Sequence, residues 1–245
     1  MKPLLRWLAL LLAATLALQL FFLGRIALMA RIDPQSTAFQ RSEAWRLWQD
    51  KGTLRWRQQW LAYAQISEHL KRAVIASEDD AFSWHEGVDW DALEQAWRKN
   101  ELAQAQAPRS ASKGTGAARS KAPKIVGGST ITQQLAKNLF LSGERTLLRK
   151  GQELVLTWML ELLLDKQRIL EIYLNSVEWG EGVFGAEAAA QHYYRKSAAR
   201  LGPVEAARLA VMLPRPRYYE KLPQSRYLAE RAGVIAARMG NAQLP

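Results

Sequence analysis

Residues 127–138 read Gly-Gly-Ser-Thr-Ile-Thr-Gln-Gln-Leu-Ala-Lys-Asn. The paired glycines interrupt regular structure, and Thr130 with Gln133 forms a capping box that predicts the start of a helix. Apolar residues then recur every three or four positions, while Gln133 and Lys137 share the polar face. A helix N-terminus after flexible backbone is suited to binding an anion, and Lys137 adds a point charge. The stretch predicts a capped helix, either purely structural or carrying an anion site.

Helical periodicity continues on both sides of this stretch. Asp165 is a predicted N-cap, and Pro203 and Pro214 are a suitable start and stop for the last helix. Alternation of Leu54 and Trp56 with arginines indicates one short strand. The fold class is therefore predicted to be mainly α, with helices over residues 67–78, 131–141, 146–164, 166–174, 186–195 and 203–213.

The N-terminus carries an uncharged, leucine-rich stretch over residues 7–24, bracketed by Arg6 and Arg25. Its 18 residues would form a helix of roughly 27 Å, marginally enough for a hydrocarbon core. A cleaved signal peptide is the alternative, although Leu28 fits a cleavage site poorly. The basic residues on the two sides do not settle the orientation. The sequence favours an uncleaved transmembrane anchor over residues 1–31, followed by one domain over residues 32–245.

Composition narrows the class of partner. The 245 residues carry a net charge of +11 and no cysteine, so disulfides and thiol chemistry are excluded. An excess of this size indicates an anionic partner, which could be nucleic acid, acidic lipid or a phosphorylated substrate. The basic stretch within residues 101–124 has little apolar bulk, and we expect a mobile loop there. The four tryptophans between residues 33 and 65 fit either a membrane interface or an ordinary core.

An acidic cluster, Glu78-Asp79-Asp80, ends the helix predicted over residues 67–78. Neighbouring carboxylates and the negative end of the helix dipole both raise a carboxylate pKa, as a general base working near neutrality requires. A solvated helix terminus would show the same residues. His85 follows closely, and a lone histidine is usually structural.

A charged stripe is predicted on the next helix, because Arg145, Arg149 and Glu153 lie four residues apart. A salt-bridged surface helix is the usual meaning of such a stripe. The alternative is functional, since arginine and lysine could bind a pyrophosphate and Glu153 would be a second carboxylate to set against Glu78.

Together, these clusters strongly resemble the peptidoglycan glycosyltransferases, which comprise monofunctional enzymes and the N-terminal domains of class A penicillin-binding proteins. Glu78-Asp79 with Phe82, His85 and Gly87 is similar to the first motif of that family. Residues 127–138 resemble the second motif and are the most specific string in the chain. The third, fourth and fifth motifs are matched by Arg149-Lys150 with Glu153, by residues 168–175 with 179–180 and 185–186, and by residues 210–214 with Pro216.

The resemblance implies a lysozyme-like helical lobe, a smaller membrane-facing lobe and a cleft between them. It implies that the short N-terminal tip is cytoplasmic and that the catalytic domain lies on the periplasmic side of a bacterial inner membrane. Glu78 would take the proton of the acceptor 4-hydroxyl, lipid II would be joined through β-1,4 linkages with inversion, and undecaprenyl pyrophosphate would leave. Glu153 would be the second catalytic carboxylate. The residues that the resemblance assigns to substrate binding are Lys137, Arg145, Arg149, Ser129, Thr130, Gln133, Gln134, Asn138, Asp79, Phe82 and His85.

The implied partners are lipid II, the growing glycan strand, membrane lipids and proteins of cell-wall synthesis and division, with no nucleic acid. No cofactor is certain, and a divalent cation such as Mg²⁺ at the pyrophosphate is the candidate. Two other functions are compatible with parts of the sequence. A glycan-cleaving lysozyme-like or lytic transglycosylase would share a helical fold and a catalytic glutamate but would not need a cationic pyrophosphate site. A basic membrane adaptor without activity would not need Glu78.

Overall fold

The computed structural model describes residues 2–106, 128–141, 143, 144 and 146–245. Helices dominate these residues, as the periodicity predicted. They are α1 (Lys2–Met29), α2 (Ala38–Lys51), α3 (Glu68–Glu78), α4 (Trp90–Gln106), α5 (Ile131–Phe140), α6 (Leu147–Leu163), α7 (Lys166–Ser176), α8 (Ala186–Tyr194), α9 (Pro203–Met212), α10 (Pro216–Glu220) and α11 (Arg226–Arg238).

A small sheet joins the N-terminal part of the domain to the segment after α7. Strand β3 (Val183–Phe184) lies in the middle, parallel to β1 (Arg57–Gln58) and antiparallel to β2 (Glu178–Gly180). The short strand that alternation predicted near residues 54–57 is therefore present, displaced toward residue 58. The sheet fixes the ends of α7 and α8 against the chain that follows α2.

The core lies between two groups of helices. Helix α9 packs against α3 and α11, while α5 packs against α6 and α7. Their shared interior contains fully buried Tyr173, Trp179 and Phe82. Because α3 ends at Glu78 and α5 begins at Ile131, this packing brings the acidic cluster and the capped helix to the same place.

The predicted helix boundaries are confirmed to within a few residues, because they depend on local signals. Thr130 accepts a hydrogen bond from the backbone N–H of Gln133, and the reciprocal bond of the capping box is present. Asp165 caps α7 through the N–H of Arg168, and Pro203 is the first residue of α9.

Helices α2, α4, α10 and α11 were not predicted from the sequence. Helix α2 shows little periodicity, since Gln40 and Leu47 are its buried residues. Residues 101–106 continue α4, so the mobile loop predicted over residues 101–124 was wrong for its first six residues. The remainder of that predicted loop lies outside the described residues.

The tryptophans of residues 33–65 divide into two groups. Trp45 and Trp48 on α2 are 62% and 56% exposed, so a core role is wrong for them. Trp60 is partly buried against the core, and Trp56 packs on the ring of Phe184 at 5.4 Å.

Helix α1 is long and apolar enough to cross a membrane, with a mean hydropathy of 2.1 over residues Pro3–Met29. Its residues 3–18 are exposed, whereas Ile26 and Met29 near its end are buried. The predicted anchor is therefore a single continuous helix whose last third contacts the domain.

Gly185 allows the sheet to meet α7. Its φ of +82° lies in the left-handed region, and a Cβ there would lie 2.6 Å from the carbonyl oxygen of Asn175. Gly185 donates its N–H to Val177, which holds this close approach.

We expect Gly185→Ala to lower the thermal midpoint strongly, because alanine meets both an unfavourable φ, costing about 1–3 kcal/mol, and a backbone clash. Gly233→Ala is the matched control. Gly233 lies in α11 with no atom within 4 Å of a built Cβ, so alanine there should be neutral or stabilising by up to about 1 kcal/mol. Equal midpoints for the two variants in thermal unfolding would contradict this account.

Candidate active site

Two neighbouring cavities contain most of the predicted site residues. The first, here called the cation cavity, has a volume of about 500 Å³ and is lined by Lys137, Arg149, Lys150 and Glu153 among others. The second, here called the acidic cavity, has a volume of about 380 Å³ and is lined by Glu78, Asp79, Asp80 and Asp89 among others. Ser129 lines both cavities, so they meet at the turn before α5.

Glu78 is the last residue of α3 and lines the acidic cavity. Its Oε2 accepts a hydrogen bond of 3.0 Å from Nε2 of Gln134, whereas Oε1 has a long contact of 3.5 Å from the Ser77 hydroxyl. Burial raises the pKa of Glu78, and the charge of Asp79 adds to the effect. The direction of this pKa shift agrees with the prediction from the sequence. The predicted causes were neighbouring carboxylates and the helix dipole, whereas the main cause is burial.

A hydrogen-bonded chain orients Glu78 from behind. The buried Tyr173 hydroxyl lies 3.0 Å from Oε1 of Gln134, and Nε2 of Gln134 donates to Glu78. Burial raises the pKa of Tyr173 well above its usual value, so the phenol stays protonated and donates. Tyr173 therefore fixes which end of the Gln134 amide faces the carboxylate.

Asp79 ties the end of α3 to the start of α5. Its Oδ2 accepts the backbone N–H of Ile131 at 2.8 Å, and its Oδ1 lies 2.8 Å from Nε2 of His85. Because Gly87 donates its N–H to Nδ1 of His85 at 3.1 Å, the ring hydrogen sits on Nε2 and is donated to Asp79. Asp79 and His85 thus hold the loop around Glu78.

The same loop is fastened to α5 and α6. The Thr130 hydroxyl donates to the carbonyl oxygen of Gly87 at 2.6 Å. Gly87 has a φ of +84°, and a Cβ there would lie 2.7 Å from the side chain of Thr157 on α6. Only glycine lets the loop lie this close to α6, which explains the glycine at position 87.

Phe82, which the resemblance assigns to substrate binding, lies behind the two cavities rather than at their surface. It is fully buried and lines neither cavity. The ammonium group of Lys166 lies 4.6 Å from its ring centroid, and Lys166 also pairs with Glu161, which accepts a hydrogen bond from Thr132 at 2.6 Å. Phe82 and His85 therefore support the loop from inside.

Glu153 is buried and holds two cations. Its Oε2 lies 2.7 Å from Nη1 of Arg149, and its Oε1 is paired with Lys150. Nε of Arg149 is buried without a hydrogen-bond partner among the described residues. Thr146 caps α6, and Arg149 and Glu153 lie on this helix at the predicted spacing of four residues. Arg145, the third predicted member, lies outside the described residues.

The predicted site residues of the second motif line the two cavities. Gln133, Gln134, Lys137 and Asn138 of α5 line the cation cavity, while Thr130 lines the acidic cavity. The structure thus gathers the second-motif residues between Glu78 and Glu153.

The cation cavity also involves three residues that were not predicted from the sequence. Glu43 of α2 and Glu178 of β2 line the cavity, and Arg217 of α10 pairs with both. Burial raises the pKa of Glu178, although the hydrogen bonds from Arg217 oppose this. No pattern in the sequence links these residues, since their contact requires the folded chain.

A metal site is not found among the described side chains. Among the described residues, no group of three or more histidine, aspartate or glutamate side chains could hold a metal ion. Both oxygens of Glu153 face cations, and a divalent metal there would have to displace them. The cation cavity combines the cationic side chains of Lys137, Arg149 and Lys150 with four carboxylates, those of Glu43, Glu144, Glu153 and Glu178.

Comparison with known proteins agrees with this geometry. The family model described as Transglycosylase matches residues 49–240. A biosynthetic peptidoglycan transglycosylase of Burkholderia orbicola (strain MC0-3) is 55% identical over 232 residues, covering 95% of this chain and 87% of the relative. The protein of the same name from Paraburkholderia phytofirmans is 53% identical, covering 95% of this chain and 89% of the relative. With its carboxylates, capped helix and cation cavity in the matched region, this chain belongs to the transglycosylase family.

Proposed function

We propose that this chain is a peptidoglycan glycosyltransferase that polymerises lipid II into glycan strands, with Glu78 as the general base. The observation that carries the proposal is the position of Glu78. Its carboxylate has a pKa raised by burial and lines a cavity that meets a second cavity lined by lysine and arginine. A base beside a pyrophosphate-binding site is what transfer from a lipid pyrophosphate requires.

The proposed step uses the oxygen of Glu78 that is less tightly held. Oε1 of Glu78 accepts the proton of the acceptor 4-hydroxyl, while Gln134 keeps Oε2 in place. The hydroxyl oxygen forms a bond to the donor anomeric carbon from the face opposite the leaving group. The bond from that carbon to the phosphate oxygen breaks, and its electron pair leaves on undecaprenyl pyrophosphate. The product is a β-1,4 linkage formed with inversion.

The cation cavity is proposed to bind the donor pyrophosphate. Lys137, Arg149 and Lys150 line it, and their fixed charge would stabilise the negative charge that develops on the leaving group. Glu153 holds Arg149 and Lys150 in position, so we assign it to orienting these cations. A divalent cation, if one takes part, would be carried by the substrate pyrophosphate rather than by Glu153.

Synthesis is favoured over glycan cleavage by the same cavity. A glycan-cleaving enzyme has no need for a cluster of cations beside its catalytic glutamate. The relatives are named as biosynthetic enzymes, and α1 would keep the active site near lipid-linked substrate. We place the catalytic domain on the periplasmic side, where lipid II would be polymerised. Labelled lipid II gives a ladder of strands if the proposal is right, and finished glycan gives fragments if the enzyme cleaves.

Glu78→Gln is expected to lower turnover on lipid II by about 10²–10⁴-fold, because the amide cannot accept a proton. The unfolded carboxyl ionises near a pKa of about 4.3, whereas the folded pKa is higher. The ionised carboxylate therefore destabilises the fold once the pH rises above the unfolded pKa of about 4.3. At neutral pH the variant should melt at or above the wild-type temperature, with no gain below about pH 4. Near-normal polymerisation by this variant would show that another group is the base.

Tyr173→Phe should move the acidic limb of the kcat/KM profile to higher pH. Without the phenol, the Gln134 amide can turn its oxygen toward Glu78, which disfavours the ionised carboxylate and raises its pKa further. Tyr193→Phe is the matched control, because the Tyr193 hydroxyl donates to the Trp179 carbonyl instead. If the acidic limb of the kcat/KM profile lies at the same pH in Tyr173→Phe and in the wild type, Tyr173 does not orient Gln134 toward Glu78.

Arg149→Ala and Lys137→Ala should each lower kcat/KM on lipid II by about 10²-fold, because each removes one donor to the negative charge that develops on the leaving group.

Glu153→Gln should lower both turnover and the thermal midpoint, since it leaves the partly buried Arg149 without its counter-charge. Glu94→Gln is the control, because its pair with Arg98 has the same helical spacing but is exposed. A full-activity Glu153→Gln variant would contradict the assigned role.

A further inference from the structure

The burial of the anchor helix changes abruptly along its length. Residues 3–18 of α1 are exposed, and a stripe of less exposed residues then begins. Gln19, Phe22, Ile26 and Met29 form this stripe, spaced by three, four and three residues, so they share one face of the helix. The face is directed at the catalytic domain, because α1 packs against α6.

The stripe begins with a polar pair. The side-chain amides of Gln19 and Gln152 exchange two hydrogen bonds, of 2.9 and 3.1 Å. Gln19 lies within the uncharged stretch of residues 7–24, where an unpaired amide would be costly. Gln152 is the neighbour of Glu153 on α6. The anchor is thus joined to the helix that carries the cations of the cation cavity.

Two further contacts fasten the rest of the stripe. Phe22 packs edge-to-face on Phe140, the last residue of α5, with ring centroids 5.3 Å apart, and Arg25 lies 5.5 Å from the Phe140 ring. Ile26 is fully buried. The anchor therefore also contacts the helix that carries Gln134 and Lys137.

Arg168 of α7 binds the C-terminal end of the anchor helix α1. Its Nε donates to the carbonyl oxygen of Met29 at 2.8 Å, and its Nη2 pairs with Asp33 at 2.7 Å. A cation at a helix C-terminus satisfies free carbonyl groups and interacts favourably with the dipole. The three helices α5, α6 and α7 are all bound to one face of α1.

The pair also sets a depth. Gln19 lies six residues before Arg25, the first charged residue after the span, which corresponds to about 9 Å along a helix. With Arg25 at the membrane surface, Gln152 lies below that surface. The exposed apolar side chains of α6 agree, because Leu147, Leu148 and Leu162 are 93%, 87% and 79% exposed.

We infer that Gln19 and Gln152 are positioning residues that hold the cation cavity at a fixed depth in the bilayer, level with the pyrophosphate of a lipid-linked donor. The anchor is then a structural part of the cleft rather than a tether. The identity of the donor rests on the function proposed above, whereas the docking of α1 on α6 does not.

Cross-linking tests the docking directly, because the chain contains no cysteine. The full-length double variant Gln19→Cys/Gln152→Cys in liposomes should be joined within the chain by a short bismaleimide. Ala17→Cys/Gln152→Cys is the control, because residue 17 is exposed and lies on the opposite side of α1. Equal yields for the two pairs would overturn the docking.

Activity in two environments tests the positioning. Gln19→Leu and Gln152→Leu each leave one amide unpaired, and each should lower kcat/KM on lipid II in liposomes about five-fold or more. Detergent with a short-chain lipid II analogue imposes no depth, so both variants should approach wild type there. The double leucine variant leaves no amide unpaired, so it should fold normally. Its loss in liposomes should nevertheless persist, because the two hydrogen bonds that set the depth are gone. Thr15→Val should have no effect, since the Thr15 hydroxyl bonds the Leu11 carbonyl of its own helix.

The outcomes separate the two proposals. Wild-type rates for both single variants in liposomes, or equal losses in liposomes and detergent, would overturn the positioning role. Selective cross-linking of positions 19 and 152 in a protein that does not polymerise lipid II would support the docking and refute the proposed function.

Discussion

The Asp79 carboxylate makes the contact on which the site depends. One oxygen accepts the first free N–H of α5 and the other accepts the His85 ring hydrogen. An acceptor at a helix N-terminus satisfies a free donor and is favoured by the dipole. Since Glu78 precedes Asp79 and Gln134 follows Ile131, this bridge places the carboxylate and the amide that orients it within 3.0 Å. Gly87 and His85 of the loop, with Thr130 at the start of α5, support the same bridge.

Two carboxylates of one active site are given different environments. Glu78 is partly buried and pairs with no cation among the described residues, and burial raises its pKa. Glu153 is also buried, but a guanidinium and an ammonium group face its two oxygens. Placing titratable groups in contrasting surroundings separates their roles. The environment of Glu78 favours accepting a proton, whereas Glu153 is bound to two cations.

The anchor and the cleft share their helices. Helices α5, α6 and α7, which supply the capped turn, the cations and Tyr173, each contact the last third of α1. An element that crosses a bilayer has a depth fixed by its apolar length. Helices bound to it acquire that depth as well. On the function proposed above, recognition of the lipid-linked substrate depends on membrane geometry as well as on side-chain chemistry.

Sequence alone determined the features that depend on neighbours along the chain. Caps at Thr130 and Asp165, the pair of Arg149 with Glu153 and the apolar span of α1 all follow from spacing within a few turns. Helix α2 was missed because its few buried positions leave no periodic signal. Only the tertiary structure decided that Phe82 supports the loop, that Tyr173 orients Gln134 and that Gln19 meets Gln152. Gln19 and Gln152 are 133 residues apart, and such contacts arise from packing between helices, which no local pattern encodes.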